Sequence, residues 1–427
     1  MSYPTVPSLT ELEPSQQAPA GPRGLPDLPR RVAFFALQFL PMALLAFVFG
    51  LISPRLSNPV IDGRTAGEIL LVSACLVPLL SQAVAGAVFR SLGEDGELRN
   101  VAAAALRASW RALVVIVPVL AMLGFVLRAA LDWSLGAIAL CLVLVLSNLV
   151  FAGLLTPAYV TMSLRVLTLA WSTYALVLWL APTALVLAPL TAAGVVTLML
   201  MSQARGTERP TRAGWSSLAG GAGHGLTQGA ALWVLPPVAV LTAPDLPAFA
   251  VYLALVPGLI VQLWADVVRM PVMWQLTESF QGSLDSETTA GVQSLARRLT
   301  RKATRTWLTC VSVGLITLAV GLVVLPLVHP QNLALVYVIM LGAVVGSLAM
   351  VEVTLLSLLG ERGDGQFVAV VVGALALLAV VGPFSPAVAI ALVVAGELIA
   401  LAVLFLRRRQ AWRHPEYTAF WSKAVSL

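Results

Sequence analysis

Long apolar runs, broken by short polar or basic segments, recur from one end of this chain to the other. They fall near 32–53, 66–90, 108–130, 134–156, 160–180, 182–203, 218–242, 248–270, 304–327, 332–358, 366–383 and 386–406. A run of about 20 apolar residues carries an α-helix across a hydrocarbon layer about 30 Å thick. Proline and glycine mark the tight turns at Pro182, Pro244, Pro330 and Gly382-Pro383, where a helix loses a backbone donor or reverses. The fifth and sixth runs are separated only by Ala181-Pro182, and the seventh is unusually polar. The pattern predicts an all-α integral membrane protein of twelve transmembrane helices.

The longest polar gap between the central runs, Gln203 to Gly214, divides them six and six. Each half carries the same short pattern in its second run. Leu76-Val77-Pro78 is followed twelve residues on by Arg90, and Leu255-Val256-Pro257 twelve residues on by Arg269. Val88 and Val267 match at the same offset of 179 residues. A six-span repeat keeps one orientation in both copies, so tandem duplication predicts two six-helix lobes related by a pseudo-two-fold axis along the membrane normal. The expected organisation is a flexible cytoplasmic tail over 1–30, a first lobe over 31–203, a linker over 204–214, a second lobe over 215–406 and a cytoplasmic tail over 407–427.

Composition agrees with the pattern. The chain has 427 residues, 59% hydrophobic and only 11% charged, with mean hydropathy +0.92; soluble proteins are about 25% charged. The residues before Leu28 are rich in Pro, Ser and Gln with no apolar centre, unlike a signal peptide. With the N-terminus cytoplasmic, only Arg55, Arg64 and Arg128 of the 26 Lys+Arg lie on the far side. The excess of basic residues inside sets both termini in the cytoplasm and requires an even number of spans. The net charge of +6 sits in membrane loops, which does not indicate nucleic acid. Cys75, Cys141 and Cys310 are single residues within or beside apolar runs, which suits packing and not a disulfide framework.

Polar groups inside the spans are the candidates for function, because lipid offers them no partner. Arg90 and Arg269 close the second and eighth spans. They either anchor the helix ends by snorkelling or flank a cytoplasmic mouth that attracts an anionic lipid-phosphate or uronic-type substrate. Asp266, three residues before Arg269, could pair with it on one helical face. In the seventh span, Gly220-Gly221-Ala222-Gly223-His224-Gly225-Leu226-Thr227-Gln228-Gly229 is too rich in glycine to face lipid throughout. Those glycines permit close helix packing or a bend lining a cavity, and His224 is either a satisfied buried histidine or a proton relay. Gln38, Gln82 and Gln228 suit a sugar-bearing path or helix contacts equally, and Asn148, Tyr159 and Arg165 complete the pathway set. Glu352 and Glu397, in the tenth and twelfth spans, are either protonatable coupling groups or hydrogen-bonded packing carboxyls. No metal-spaced histidine cluster, phosphate-cradling glycine loop or nucleophile elbow is present, so neither a cofactor nor an enzymatic activity is expected.

Twelve spans in two lobes, a connector after the second span of each, and the acidic turn Gly93-Glu94-Asp95-Gly96-Glu97 resemble the multidrug/oligosaccharidyl-lipid/polysaccharide (MOP) superfamily. Within it, three segments resemble the membrane subunits of Pel exopolysaccharide exporters. These are Tyr252 to Pro257 leading to Arg269, Phe280-Gln281-Gly282-Ser283-Leu284 followed by the basic helix Ala296 to Trp307, and Pro415-Glu416-Tyr417-Thr418-Ala419-Phe420. Met270-Pro271 stands where that family has an acid and a threonine, and Trp233 alone remains of its seventh-span pattern. The resemblance implies a transporter or flippase in the bacterial cytoplasmic membrane. It would move a sugar polymer or lipid-linked saccharide by alternating access, beside a cytoplasmic glycosyltransferase and other membrane subunits. A cation-coupled multidrug antiporter is the second reading, disfavoured because Arg31 to Ser53 contains no carboxylate. A membrane scaffold for a synthase, bound through the basic connector 296–305, is the third.

Overall fold

Leu-, Val- and Ala-rich segments in lipid must satisfy every backbone N–H and C=O internally, and the chain does so with helices. A computed structural model of the chain describes residues 52, 55–56, 60–94, 101–129, 131–160, 163–203, 214–243, 246, 248–286, 289–328, 332–360 and 364–419. A small antiparallel hairpin, β1 (Val60–Ile61) and β2 (Arg64–Thr65), turns through Asp62 and Gly63 at positive φ. It delivers the chain into α1 (Ala66–Glu94), followed by α2 (Val101–Ala129), α3 (Leu135–Val160), α4 (Leu164–Leu180) and α5 (Leu187–Gln203). The second half contains α6 (Trp215–Trp233), α7 (Leu235–Thr242), α8 (Ala248–Leu263), α9 (Met270–Ser286) and α10 (Thr289–Val328). It closes with α11 (Leu333–Ser357), α12 (Asp364–Val381) and α13 (Pro386–Ala411).

Among the described residues, seven stretches are long and apolar enough to cross a membrane, and α4, α5 and α12 are shorter apolar helices. The seventh expected span is divided in two at Val234. Pro236 and Pro237 follow the break; neither has a backbone N–H to continue the ladder of α6. The first expected span lies outside the described residues apart from Ile52. The repeated prolines Pro78 and Pro257 sit inside α1 and α8, one in each half.

The segment after the eighth span is a helical rod. A π-helical turn over Trp264–Arg269 joins α8 to α9. The chain then returns through α10, whose 40 residues make it about 60 Å long, twice the thickness of a hydrocarbon core. Apolar residues occupy the second half of α10, so its first half stands beyond the lipid with α9 packed on it. Phe280 of α9, Leu299 and Ala303 of α10, Trp412 and Ala419 are buried in one cluster there. α13 continues past the expected start of the tail to Ala411, and Thr418 Oγ1 donates to the Ala411 carbonyl at 3.0 Å to fold residues 415–419 back on it.

The main hydrophobic core runs through both halves, and α1 and α6 form the broadest contact between them. Glycine makes it possible. Gly221, Gly225 and Gly229 recur every fourth residue and so share one face of α6. Gly225 lies on the Gln82 carbonyl, Gly229 on the Leu79 carbonyl, and Gly221 against Gly86 of α1. A Cβ at position 225 would stand 2.6 Å from the Gln82 carbonyl carbon and 3.0 Å from the Ala83 Cα, so no side chain fits between these backbones.

Candidate functional site: the seam between the lobes

The seam is built on α1. Its Leu79–Gly86 stretch packs on α6, and farther along Cys75 Sγ lies 3.7 Å from the buried Tyr252 hydroxyl of α8. Beside the glycine contact, α1, α2 and α6 enclose a slot of about 190 Å³ lined by Leu80, Ala83, Ile116, Val119, Ala222 and Leu226, among others. The slot is apolar, not the wettable crevice that charge placement would favour. At the arginine-rich end of the bundle, the Arg111 guanidinium of α2 lies 4.4 Å from the ring of Trp215 on α6. This cation–π contact ties the two halves together.

Arg269 and Asp266 do not pair. The π-helical turn has more residues per turn than an α-helix, so positions three apart no longer lie on one face. Asp266 instead accepts hydrogen bonds from Gln262 Nε2 at 3.1 and 3.0 Å. The turn packs on α10. Arg269 lies with its guanidinium carbon 5.6 Å from the Trp264 ring and its Nε buried without a hydrogen-bond partner among the described residues. Arg269 is therefore a group of the second half's own interior, not of the seam.

The two intramembrane glutamates have different surroundings. Glu352 of α11 is fully buried and forms an ion pair with Arg408 of α13, Oε2 to Nε at 2.5 Å. The Arg408 guanidinium lies 5.3 Å from the Trp307 ring of α10 and 5.2 Å from Phe405, so the group joins α10, α11 and α13. Glu397, on the same helix as Arg408, is 1% exposed. Its Oε2 has no hydrogen-bond partner among the described residues and sits 2.9 Å from where a Cβ at Gly342 would be.

The remaining expected residues scatter. Asn148 belongs to the packing of the first half: its Nδ2 donates to the Leu144 carbonyl at 2.8 Å and its Oδ1 accepts from Tyr174 at 3.1 Å. Arg165 and His224 are exposed, and Gln82 is half-buried with its carbonyl in the seam. Gln38 lies outside the described residues, as do the side chains of Arg90, Tyr159 and Gln228. The three cysteines are buried at separate places, and among the described residues no group of three His, Cys, Asp or Glu could hold a metal ion. Sequence reasoning missed Arg408, which looks like any member of the Arg407-Arg408-Arg409 run. Its only signal is that position 408 falls on the buried face of α13, four residues after Leu404.

No known protein family and no curated protein sequence matches the chain. Solved structures do match its fold. An outward-facing multidrug resistance MATE family transporter of the MOP superfamily superposes with TM-score 0.51 at 13% identity, over 91% of this chain and 96% of that one. A MATE in the bent conformation gives TM-score 0.51 at 14% identity, over 91% and 95%. A MOP superfamily transporter from Pyrococcus furiosus, described with a binding pocket of reverse polarity that suggests a different function, gives TM-score 0.51 at 12% identity, over 91% and 96%. The chain thus shares the all-α, two-lobe fold of these structures.

Proposed function

We infer that the protein carries a saccharide, as a polymer or linked to a lipid, across the bacterial cytoplasmic membrane by alternating access, without catalysing a covalent reaction. The observation that carries the sugar reading is the cluster along the first half of α10. Phe280, Ala296 and Ala419 come from the connector, the basic helix and the C-terminal segment, and they pack together. Those are segments whose sequences resemble Pel exporters, and a shared cluster would let them act as one docking unit. The arginine-rich end faces the cytoplasm, with both termini there. Arg297, Arg298, Arg301 and Arg305, all exposed, offer a face to a cytoplasmic glycosyltransferase. Other membrane subunits would complete an export complex.

The test is transport by purified protein in liposomes loaded on one face with a fluorescent lipid-linked oligosaccharide. Accelerated crossing supports the reading; crossing at the protein-free rate, with a cationic dye moved instead, refutes it. Glu397, buried and with its Oε2 without a hydrogen-bond partner among the described residues, favours a second reading, a cation-coupled multidrug antiporter. Dye movement driven by a proton or sodium gradient and abolished in Glu397→Gln would establish that one.

A further inference from the structure

The end of α13 runs beside the middle of α10 in the opposite direction. Thr300 Oγ1 of α10 donates to the Trp412 carbonyl at 3.4 Å, and the Trp307 and Phe405 rings lie 5.1 Å apart. Each helix thus turns one face to the other, Thr300 and Trp307 on α10, Phe405 and Trp412 at the end of α13. Antiparallel helices are related by a local two-fold axis across their contact, so positions at equal offsets from the facing residues lie on the same side of it. Arg301 follows Thr300 by one residue, as Leu406 follows Phe405. Arg297 precedes Thr300 by three, as Ala402 precedes Phe405. Leu308 and Arg409 extend these two stripes at helical spacing. All six residues are exposed, Leu308 by 52% and Leu406 by 57%. They border one groove, which Trp307 and Phe405 floor.

The groove is apolar toward the bilayer centre and basic toward the arginine-rich end. Arg409 stands three residues beyond Leu406 and Arg301 seven before Leu308, about 5 and 10 Å along the helices. A headgroup layer is about 5–8 Å deep on each face of a bilayer, within reach of both side chains. Neighbouring carboxylates leave these charges open. Glu352 is taken by Arg408, and Glu416 faces His414 Nδ1 at 3.8 Å. Arg297, Arg301 and Arg409 form no ion pair among the described residues. Protein also covers little of α10. Of the most apolar window in its spanning stretch only 17% is buried, the smallest share among the seven such stretches.

We propose that this groove seats an anionic phospholipid of the bilayer itself, with its phosphate on Arg301 and Arg409 and its acyl chains on Leu308, Ala402 and Leu406. Guanidinium forks match a phosphodiester, and an anionic leaflet adds attraction at that depth. A soluble acidic protein would meet the arginines and leave the leucines bare; a phospholipid covers both in one molecule. The lipid is a fixed part of the second lobe and not cargo, bridging α10 to α13 where protein contacts are few. The seat does not depend on what the protein transports.

Native mass spectrometry of the full-length protein, delipidated in detergent and titrated with phosphatidylglycerol or phosphatidylcholine, tests it. The wild type should hold phosphatidylglycerol about tenfold more tightly than phosphatidylcholine, and Arg301→Gln/Arg409→Gln should remove that preference. Arg298→Gln/Arg305→Gln is the matched control. Both arginines are exposed, and each precedes a facing residue by two, which turns it away from the groove; this variant should bind as the wild type does. Leu308→Ser/Leu406→Ser should weaken binding of both lipids, and glycerol phosphate, a headgroup without chains, should not compete. All these substitutions are at exposed positions, so the lipid-free variants should melt with the wild type. Equal loss in the two arginine variants would mean diffuse attraction to charge and overturns the seat. So does effective competition by glycerol phosphate, or a wild type with no preference for the anionic lipid.

Discussion

Replacing Gly225 with alanine should push the two lobes apart without unfolding either. The new Cβ would lie 2.6 Å from the Gln82 carbonyl carbon, and ordinary contact begins at 3.4 Å, so α1 and α6 must separate by at least 0.8 Å. Neither neighbour can yield locally, because the obstruction is backbone. Overpacking of this kind costs about 1–3 kcal/mol, and the better helix propensity of alanine returns at most about 1 kcal/mol. Each half keeps its other helix contacts, so the cost falls on the equilibrium between closed and parted seam. A shift of about 1.4 kcal/mol is tenfold in that ratio. Spin labels at Trp110→Cys and Ser216→Cys, exposed sites on the two sides of the seam at its arginine-rich end, would read the change in a cysteine-free background. The expected result is a longer or bimodal distance distribution in Gly225→Ala. Gly220→Ala, with open space at its Cβ, should leave the distribution alone. Identical distributions and melting temperatures for Gly225→Ala and its parent would refute the claim that this seam is held by backbone contact.

Glu352→Gln should destabilise the second lobe by about 3–5 kcal/mol, because it leaves Arg408 buried without its counter-charge; Glu352→Met/Arg408→Met should recover most of that in a thermal melt. Tyr174→Phe removes the hydrogen bond to Asn148 and should cost about 1 kcal/mol, read as a small fall in melting temperature with transport unchanged. Pro236→Ala/Pro237→Ala restores two backbone donors and should fuse α6 and α7 into one helix, detected as slowed amide exchange around Val234.

Much of the fold is written locally. Stretches of apolar residues, prolines at turns and the placement of arginines state where helices begin and end, since lipid forces each segment to satisfy its own backbone. The breadth of the seventh span's glycine run even announces close packing. Which glycine faces which helix is not local: Gly225 and Gly223 have similar sequence surroundings, yet one is pressed on α1 and the other borders a void. The Asp266–Arg269 spacing suggested a pair, and a single π-helical turn, which no periodicity in the apolar pattern signals, took them off a common face. Arg408 reads as one of three surface cations until α11 brings Glu352 beside it from 56 residues away. The sequence by itself determined a helical membrane protein in two halves, because hydropathy and helix punctuation act over a few turns. Only the tertiary structure decided which polar groups are buried together and where the halves touch, because those depend on how separate helices rotate and meet.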